Sequence, residues 1–140
     1  MPGRAMTQQT VVLLHEDRAA SALLESLLRD VGYRVLVSET GLGAGELVAE
    51  AAPCVVLLSA TLPYGSGLPL LTRRRSVAGG AAARFVLLGP VEQELLPALQ
   101  RRNVVAALPW PSEPEAVLAA VRAAWAQIAD RSRHQARLKR

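Results

Sequence analysis

Five short aliphatic runs recur along the chain, and their spacing limits the possible folds more than any other feature. The runs are Val11–Leu14, Tyr33–Val37, Cys54–Leu58, Arg84–Leu88 and Val104–Leu108. Three of them are continuous rather than alternating in hydrophobicity, which is typical of strands that are covered on both faces. Parallel strands are joined by crossover segments, which are usually helices. The pattern therefore predicts an α/β domain.

The segments between the runs have the apolar spacing of amphipathic helices. Helices are predicted over residues 19–31, 46–52, 68–77 and 91–102, and a fifth is predicted to begin at residue 112. The first has an apolar stripe made of Leu23, Leu24, Leu27, Leu28 and Val31. The last has an apolar stripe made of Val117, Leu118, Val121, Ala124, Trp125 and Ile128. Alternating strands and helices of this number predict a single doubly wound, flavodoxin-like (βα)5 domain with a five-stranded parallel sheet in the order 2-1-3-4-5.

Residues that favour helix ends support these boundaries. Gly32 and Asn103 tolerate the left-handed conformation in which many helices end. Ser112 is predicted to cap the last helix with its hydroxyl, and Pro114 is predicted to lie in the first turn.

Composition excludes several classes of protein. The chain has 140 residues, the size of one domain, and its 51% apolar content excludes an intrinsically disordered chain. Its single cysteine, Cys54, cannot form an internal disulfide and is predicted to be a small core residue. Apolar runs of about five residues are too short to cross a bilayer, and residues 1–10 lack the apolar segment of a signal peptide. A cytoplasmic protein without cofactor, metal or membrane insertion is therefore expected.

The charge is concentrated at the C-terminus. Residues 131–140 contain five of the 16 basic residues and no acidic one, which leaves 11 basic and 12 acidic residues in the rest of the chain. Lys139 is the only lysine in the sequence. Such a basic tail either attracts a polyanion, such as nucleic acid, or is the solvated end of a helix.

Ligands of open parallel sheets bind beyond the carboxyl ends of the strands. At that edge the sequence places His15 and Glu16 after the first strand and Ser59 after the third. Gly89 follows the fourth strand, and Trp110 follows the fifth. These five residues are the candidate site.

Three stretches resemble the receiver domain of two-component response regulators. They are VVLLHED at residues 11–17, VVLLSATLPYGSGLPLL at residues 55–71 and EPEAVLAAV at residues 113–121. Within the second stretch, Leu62-Pro63 and Gly67-Leu68 match the loop and helix start of the family. The resemblance implies an N-terminal extension at residues 1–9, a receiver-like domain at 10–129 and a basic tail at 130–140.

The residues that carry the chemistry of that family differ here. The family uses an aspartate that accepts the phosphoryl group, an acidic pair that holds Mg²⁺, a hydroxyl residue, a lysine and a switch aromatic. At the matching positions this chain has, in the same order, Ser59, the pair His15 and Glu16, Gly89, Trp110 and Ala107. Because phosphoryl transfer needs a metal and cationic groups, the resemblance implies an atypical receiver, a pseudo-receiver that is neither phosphorylated nor catalytic.

The implied function is a phosphorylation-independent protein-interaction module in bacterial signalling or regulation. The usual contact surface of the family is formed by the fourth helix, the fifth strand and the fifth helix, which could also make a homodimer. Its candidate residues here are Gln100, Arg101, Arg102 and Trp110, and a second candidate patch is Arg73, Arg74 and Arg75.

Three alternatives remain open from the residues alone. The candidate site could bind a small ligand, or the arginine-rich tail could bind nucleic acid. Ser59 near His15 could form a hydrolase site, although the sequence around Ser59 has no G-x-S-x-G motif. The glycine-rich run at residues 41–45 resembles a phosphate loop only weakly, because Glu46 stands where a third glycine is needed.

Overall fold

The computed structural model describes residues 9–38, 44–51, 53–60, 83–91, 93–100 and 103–138. Its five strands are β1 (Thr10–Leu14), β2 (Arg34–Ser38), β3 (Cys54–Ser59), β4 (Ala83–Leu88) and β5 (Val104–Leu108). All pair in parallel in the order β2-β1-β3-β4-β5. The predicted flavodoxin-like topology is therefore confirmed.

Four helices connect or follow these strands in the described residues. They are α1 (Arg18–Asp30), α2 (Ala44–Ala51), α3 (Leu96–Gln100) and α4 (Pro114–Leu138). The helix predicted at residues 68–77 lies outside the described residues, as do residues 1–8 and the loop of residues 61–67. Residues 44 and 45 of the glycine-rich run belong to α2. No helix of the described ranges has the length and apolarity needed to cross a membrane.

The segment predicted as a helix over residues 91–102 is shorter than expected. Residues Gln93–Leu95 form a 3₁₀ turn, and the α-helix begins only at Leu96. Pro97 gives the physical reason, because a proline is tolerated only in the first turn of an α-helix. Asn103, directly before β5, has the left-handed conformation predicted for it, with φ +70°.

The two ends of α1 are held by specific hydrogen bonds. The carboxylate of Asp17 accepts from the backbone N–H groups of Ala19 at 2.9 Å and Ala20 at 3.2 Å, which makes Asp17 the N-cap. Gly32 has φ +103° and donates its N–H to the carbonyl of Arg29 at 3.0 Å, as in a Schellman ending. The predicted role of Gly32 is confirmed.

The apolar stripe predicted for α1 is only partly buried. Leu24 and Leu28 lie in the core, but Leu23 is 64% exposed and Val31 is 53% exposed. The buried face includes Ala20 instead, one turn before Leu24. A helix that packs on one face of a sheet buries only the stripe of side chains that faces the sheet, so Leu23 on its flank stays in solvent.

The final helix covers the sheet as predicted, but its start differs. The predicted inward residues are buried, with Trp125 only partly so. The hydroxyl of Ser112 donates to the carbonyl of Pro109 rather than capping the helix. The helix begins at Pro114, and the carbonyl of Glu113 accepts the N–H of Ala116 at 3.0 Å. Ser112 is therefore a loop residue, and the prediction for it was wrong.

Side chains on the two faces of the sheet form two cores. One lies under α1 and α4 and contains Val11, Leu13, Val55, Leu57, Val86 and Leu88. The other lies under α2 and α3 and contains Val12, Leu14, Cys54, Val56, Leu58 and Phe85. Coverage on both faces explains why the central runs are continuously apolar.

Candidate functional site

The parallel sheet brings the predicted site residues to one edge. Leu14 in β1 pairs with Leu58 in the adjacent strand β3. His15 and Ser59 each follow one of these two residues, so they occupy equivalent positions at the ends of the two strands. On the other side of β3, the N–H of Ala60 bonds to the carbonyl of Leu88 at 2.8 Å. The edge is therefore continuous from β1 to β4.

The aromatic rings of His15 and Trp110 meet at this edge. Their centroids lie 5.3 Å apart, with the ring planes at 60°, in an edge-to-face arrangement. His15 is only 2% exposed, whereas Trp110 is half-buried and packs on the core under α1 and α4. The contact therefore places two aromatic rings together at this end of the sheet, between the ends of β1 and β5.

The imidazole of His15 has one nitrogen engaged by the backbone. Its Nδ1 accepts the N–H of Asp17 at 3.1 Å, so the hydrogen of the neutral ring is on Nε2. Nε2 is buried without a hydrogen-bond partner among the described residues. The carboxylate of Glu16 lies 3.7 Å from Nδ1, and an ion pair with it would require a proton on the nitrogen that already accepts from Asp17.

The acids at the end of β1 offer little to a divalent cation. Asp17 caps α1 through two backbone N–H groups, and Glu16 is the remaining carboxylate. Within the described ranges no cluster of three or more histidine, cysteine, aspartate or glutamate residues is arranged to hold a metal ion. Magnesium prefers several oxygen ligands at short distance, and these residues do not fit it.

Ser59 is not activated by His15 in the way that a hydrolase requires. A serine nucleophile needs a base nitrogen that accepts its proton. The Nδ1 atom of His15 accepts from Asp17, and Nε2 bonds to no described group. Ser59 itself is 2% exposed. The geometry does not support the hydrolase alternative.

Gly89 adopts a backbone conformation that other residues avoid. Its φ is +125°, and its N–H bonds to the carbonyl of Leu108 at 2.9 Å. A Cβ atom at this position would lie 3.3 Å from the Cβ of Ala60. A hydroxyl side chain at the end of β4 would therefore strain the chain and crowd β3.

We expect Gly89→Ala to destabilise the fold by about 2 kcal/mol, because it combines an unfavourable φ with a close contact. Gly32→Ala is the matched control, since Gly32 has φ +103° but a Cβ there meets nothing within 4 Å. Urea unfolding of both variants measures the difference. A loss at Gly89 no larger than the loss at Gly32 would show that the Ala60 contact costs nothing.

The predicted interaction residues are divided between the faces of the sheet. Gln100 is exposed at the end of α3. Ala107 packs against the core under α2 and α3, whereas Trp110 packs on the opposite core. Arg101 and Arg102 lie outside the described residues, and so do Arg73, Arg74 and Arg75. Trp110 thus faces His15 and the core rather than extending the α3 surface.

Sequence reasoning missed two features of the described residues. Arg84 begins β4 with only 6% exposure, although its run was treated as purely aliphatic. The capping role of Asp17 was also missed, although an aspartate directly before a helical segment is itself a capping signal. Burial raises the pKa of Cys54 to about 12, in line with a core thiol. Burial also raises the pKa of Tyr33, an effect that the charge of Arg122 opposes.

Comparison with known proteins identifies the fold. No family model matches the chain, and no curated protein sequence matches it. A CheY-like response regulator receiver domain protein from Methanospirillum hungatei JF-1 superposes with a TM-score of 0.79 at 15% identity, over 89% of this chain and 99% of that chain. A CheY-like receiver domain from Methylobacillus flagellatus gives 0.70 at 18% identity, over 84% and 99%. A structure described as adenylate cyclase from Rhodopirellula baltica gives 0.75 at 19% identity, over 95% and 98%. The chain shares the fold of these proteins.

Proposed function

We propose that this chain is a receiver-fold protein-interaction module that acts in bacterial signalling or regulation without phosphorylation and without catalysis. The contact between His15 and Trp110 carries the proposal. These rings stand where receiver domains, by the resemblance of the sequence, have a carboxylate and a lysine. Neither an imidazole nor an indole supplies an oxygen ligand for Mg²⁺, and the indole at the lysine position carries no positive charge for a phosphoryl group.

Three further features of the same edge support the proposal. Ser59 offers a buried hydroxyl where the family has the acceptor carboxylate. Asp17 is engaged as the cap of α1. Gly89 has no hydroxyl, and its positive φ disfavours one. Restoring a single residue would therefore not restore the chemistry, because each of the other parts would still be missing.

The proposed docking surface is formed by α3, the exposed edge of β5 and the adjoining side of α4. β5 pairs with β4 on one side, and its residues from Val105 to Leu108 are only partly buried. Ala107 replaces the switch aromatic of the family and has no side-chain torsion that could move between a buried and an exposed position. Docking of a partner protein or of a second copy is therefore expected to be constitutive.

Amide NMR spectra test this function directly. Addition of Mg²⁺, and then of Mg²⁺ with beryllofluoride, is expected to cause no saturable shift at Glu16, Ser59 or Gly89. Dilution of the protein is expected to shift amides of α3, β5 and α4 if the partner is a second copy. Saturable shifts that converge on Ser59 would favour the alternative of a small-ligand sensor.

The variant Ser59→Asp is the matched control for phosphorylation. It restores the acceptor carboxylate but keeps His15 and Trp110, so incubation with acetyl phosphate is expected to leave it as unmodified as the wild type. Intact-protein mass spectrometry before and after hydroxylamine measures acyl phosphate. Stoichiometric, hydroxylamine-labile phosphate on the wild type would overturn the proposal.

A further inference from the structure

Strand β2 forms one open edge of the sheet. It pairs with β1 and, among the described residues, with no other strand. The N–H of Arg34 bonds to the carbonyl of Gln9 at 2.9 Å, so the backbone polar groups of Arg34 point towards β1. Because successive residues of a strand direct their N–H and C=O groups to opposite sides, those of Val35 and Val37 point away from the sheet. This edge therefore presents two donors and two acceptors to a further strand.

One of these acceptors is already occupied by a side chain. The Nη2 atom of Arg29, in the last turn of α1, donates to the carbonyl of Val35 at 3.1 Å. The same nitrogen lies 2.8 Å from a carboxylate oxygen of Glu25, one turn earlier in the helix. The ion pair keeps the guanidinium at the strand edge. An incoming strand would have to displace it in order to bond to Val35.

The exposure of Arg29 indicates that this contact adds little to the stability of the fold. Its side chain is 57% exposed and that of Glu25 is 35% exposed. Ion pairs at such positions contribute little to the free energy of unfolding. Charged side chains at an open edge are one way in which proteins prevent strand pairing between chains. The contact is therefore better explained as a cover for the edge than as a support for α1.

The sequence of β2 is suited to pairing with a second copy of itself. In an antiparallel pair with its two-fold axis at Leu36, Val35 of each chain lies opposite Val37 of the other and can exchange both backbone hydrogen bonds. These opposed side chains are β-branched, which favours strand pairing. Arg34 is the only charged residue of β2 and would lie opposite Ser38. At about 3.3 Å per residue the two arginines would be roughly 13 Å apart, beyond the screening length of about 8 Å at physiological salt.

We propose that the open edge of β2 is a self-association surface for a second copy of this chain and that Arg29 keeps it closed. Displacement of the guanidinium would free the carbonyl of Val35, and the two β2 strands could then join two sheets into one. The pairing would also cover Val37, whose side chain is 37% exposed in the single chain. This inference is independent of the docking surface proposed above, because β5 lies at the opposite edge of the sheet.

Removal of the guanidinium tests the proposal. Arg29→Ala is expected to raise the average mass in sedimentation equilibrium towards twice that of the wild type at the same concentration, with an unchanged circular dichroism spectrum. The matched control is Arg131→Ala, which removes the same charge from another exposed helical position and is expected to keep the wild-type mass. A wild-type mass for Arg29→Ala, or an equal rise in mass for Arg131→Ala, would overturn the proposal.

Second-site variants locate the association on β2. The N–H of Val37 points away from β1, so a proline at this position removes a donor from the open edge without removing a bond within the sheet. Arg29→Ala combined with Val37→Pro is therefore expected to return to the wild-type mass. Arg29→Ala combined with Val37→Lys tests the same point with the N–H retained, because a lysine on an edge opposes pairing. Association that persists in both double variants would place the contact elsewhere and overturn the proposal.

Amide hydrogen exchange resolves the edge residue by residue. In the wild type the amide of Leu36, which faces β1, is expected to exchange at least about tenfold more slowly than the amide of Val37. In Arg29→Ala the amide of Val37 is expected to slow by a similar factor, because the second copy pairs with it. Equal protection of both amides in the wild type would mean that the edge is already covered by another strand, which would contradict the role given to Arg29.

Discussion

At pH 8, the thiol of Cys54 in the folded protein is expected to react with a disulfide reagent about a thousandfold more slowly than in the unfolded chain. Burial raises the pKa of this thiol from 9.0 to about 12, because the thiolate would be desolvated at the start of β3. The thiol donates a long hydrogen bond of 3.9 Å to the carbonyl of Val48, and a carbonyl oxygen cannot stabilise the thiolate. Absorbance assays in water and in denaturant measure both rates.

The same shift predicts how stability depends on pH. The pKa of Cys54 is higher in the folded state than in the unfolded chain. The contribution of the buried neutral thiol to the free energy of unfolding is therefore complete below pH 9 and is lost as pH rises from 9 to about 12. The expected loss is about 1.4 kcal/mol per pH unit in that window. Cys54→Ala should remove this slope, at the cost of about 1 kcal/mol at pH 8. Rapid labelling of the native protein without denaturant would contradict a buried thiol.

Replacement of Arg84 by alanine is expected to lower the free energy of unfolding by about 3 kcal/mol. Arg84 lies on an inner strand under α4 and is 6% exposed. Its Nε donates to the side-chain oxygen of Gln127 at 3.3 Å, and one terminal nitrogen donates to the carbonyl of Ala83 at 3.0 Å. Alanine would remove both bonds and leave a cavity between β4 and α4.

Two further variants separate packing from hydrogen bonding at this position. Arg84→Met keeps most of the volume without a buried charge, so its expected cost is about 1 kcal/mol or less. Gln127→Ala removes one bond from an exposed position and is expected to cost about 1 kcal/mol. Chemical denaturation of the three variants measures the differences. Equal stability of Arg84→Ala and wild type would show that the guanidinium makes no net contribution.

The topology could be predicted from the sequence because its physical cause is local and repeated. Continuous aliphatic runs indicate strands covered on both faces, and the segments between them have helical spacing. The errors in helix start and in buried residues arose at single positions where the local chemistry or geometry departs from the hydrophobic spacing. Pro97 delays α3, and Leu23 has helical spacing but lies beside the buried stripe rather than on it.

The position of the candidate site could be predicted from the sequence, but the contacts and hydrogen bonds of its side chains could not. Residues after parallel strands must meet at one edge, so His15, Ser59, Gly89 and Trp110 could be assigned to it from their spacing. The ring contact of His15 with Trp110 depends on side-chain orientation, which no sequence pattern specifies. The hydrogen bond from the N–H of Asp17 to the imidazole depends in the same way on a short loop conformation.

The length of α4 has a mechanical consequence. Its first half is fixed against the sheet as far as Ile128, and the same continuous helix extends to Leu138. Because an α-helix rises about 1.5 Å per residue, the backbone after Ile128 spans about 15 Å, and a tilt of about 10° around Ile128 would move its far end by roughly 2.6 Å. A small reorientation of α4 on the sheet would thus be transmitted to its C-terminal end as a displacement of a few ångströms.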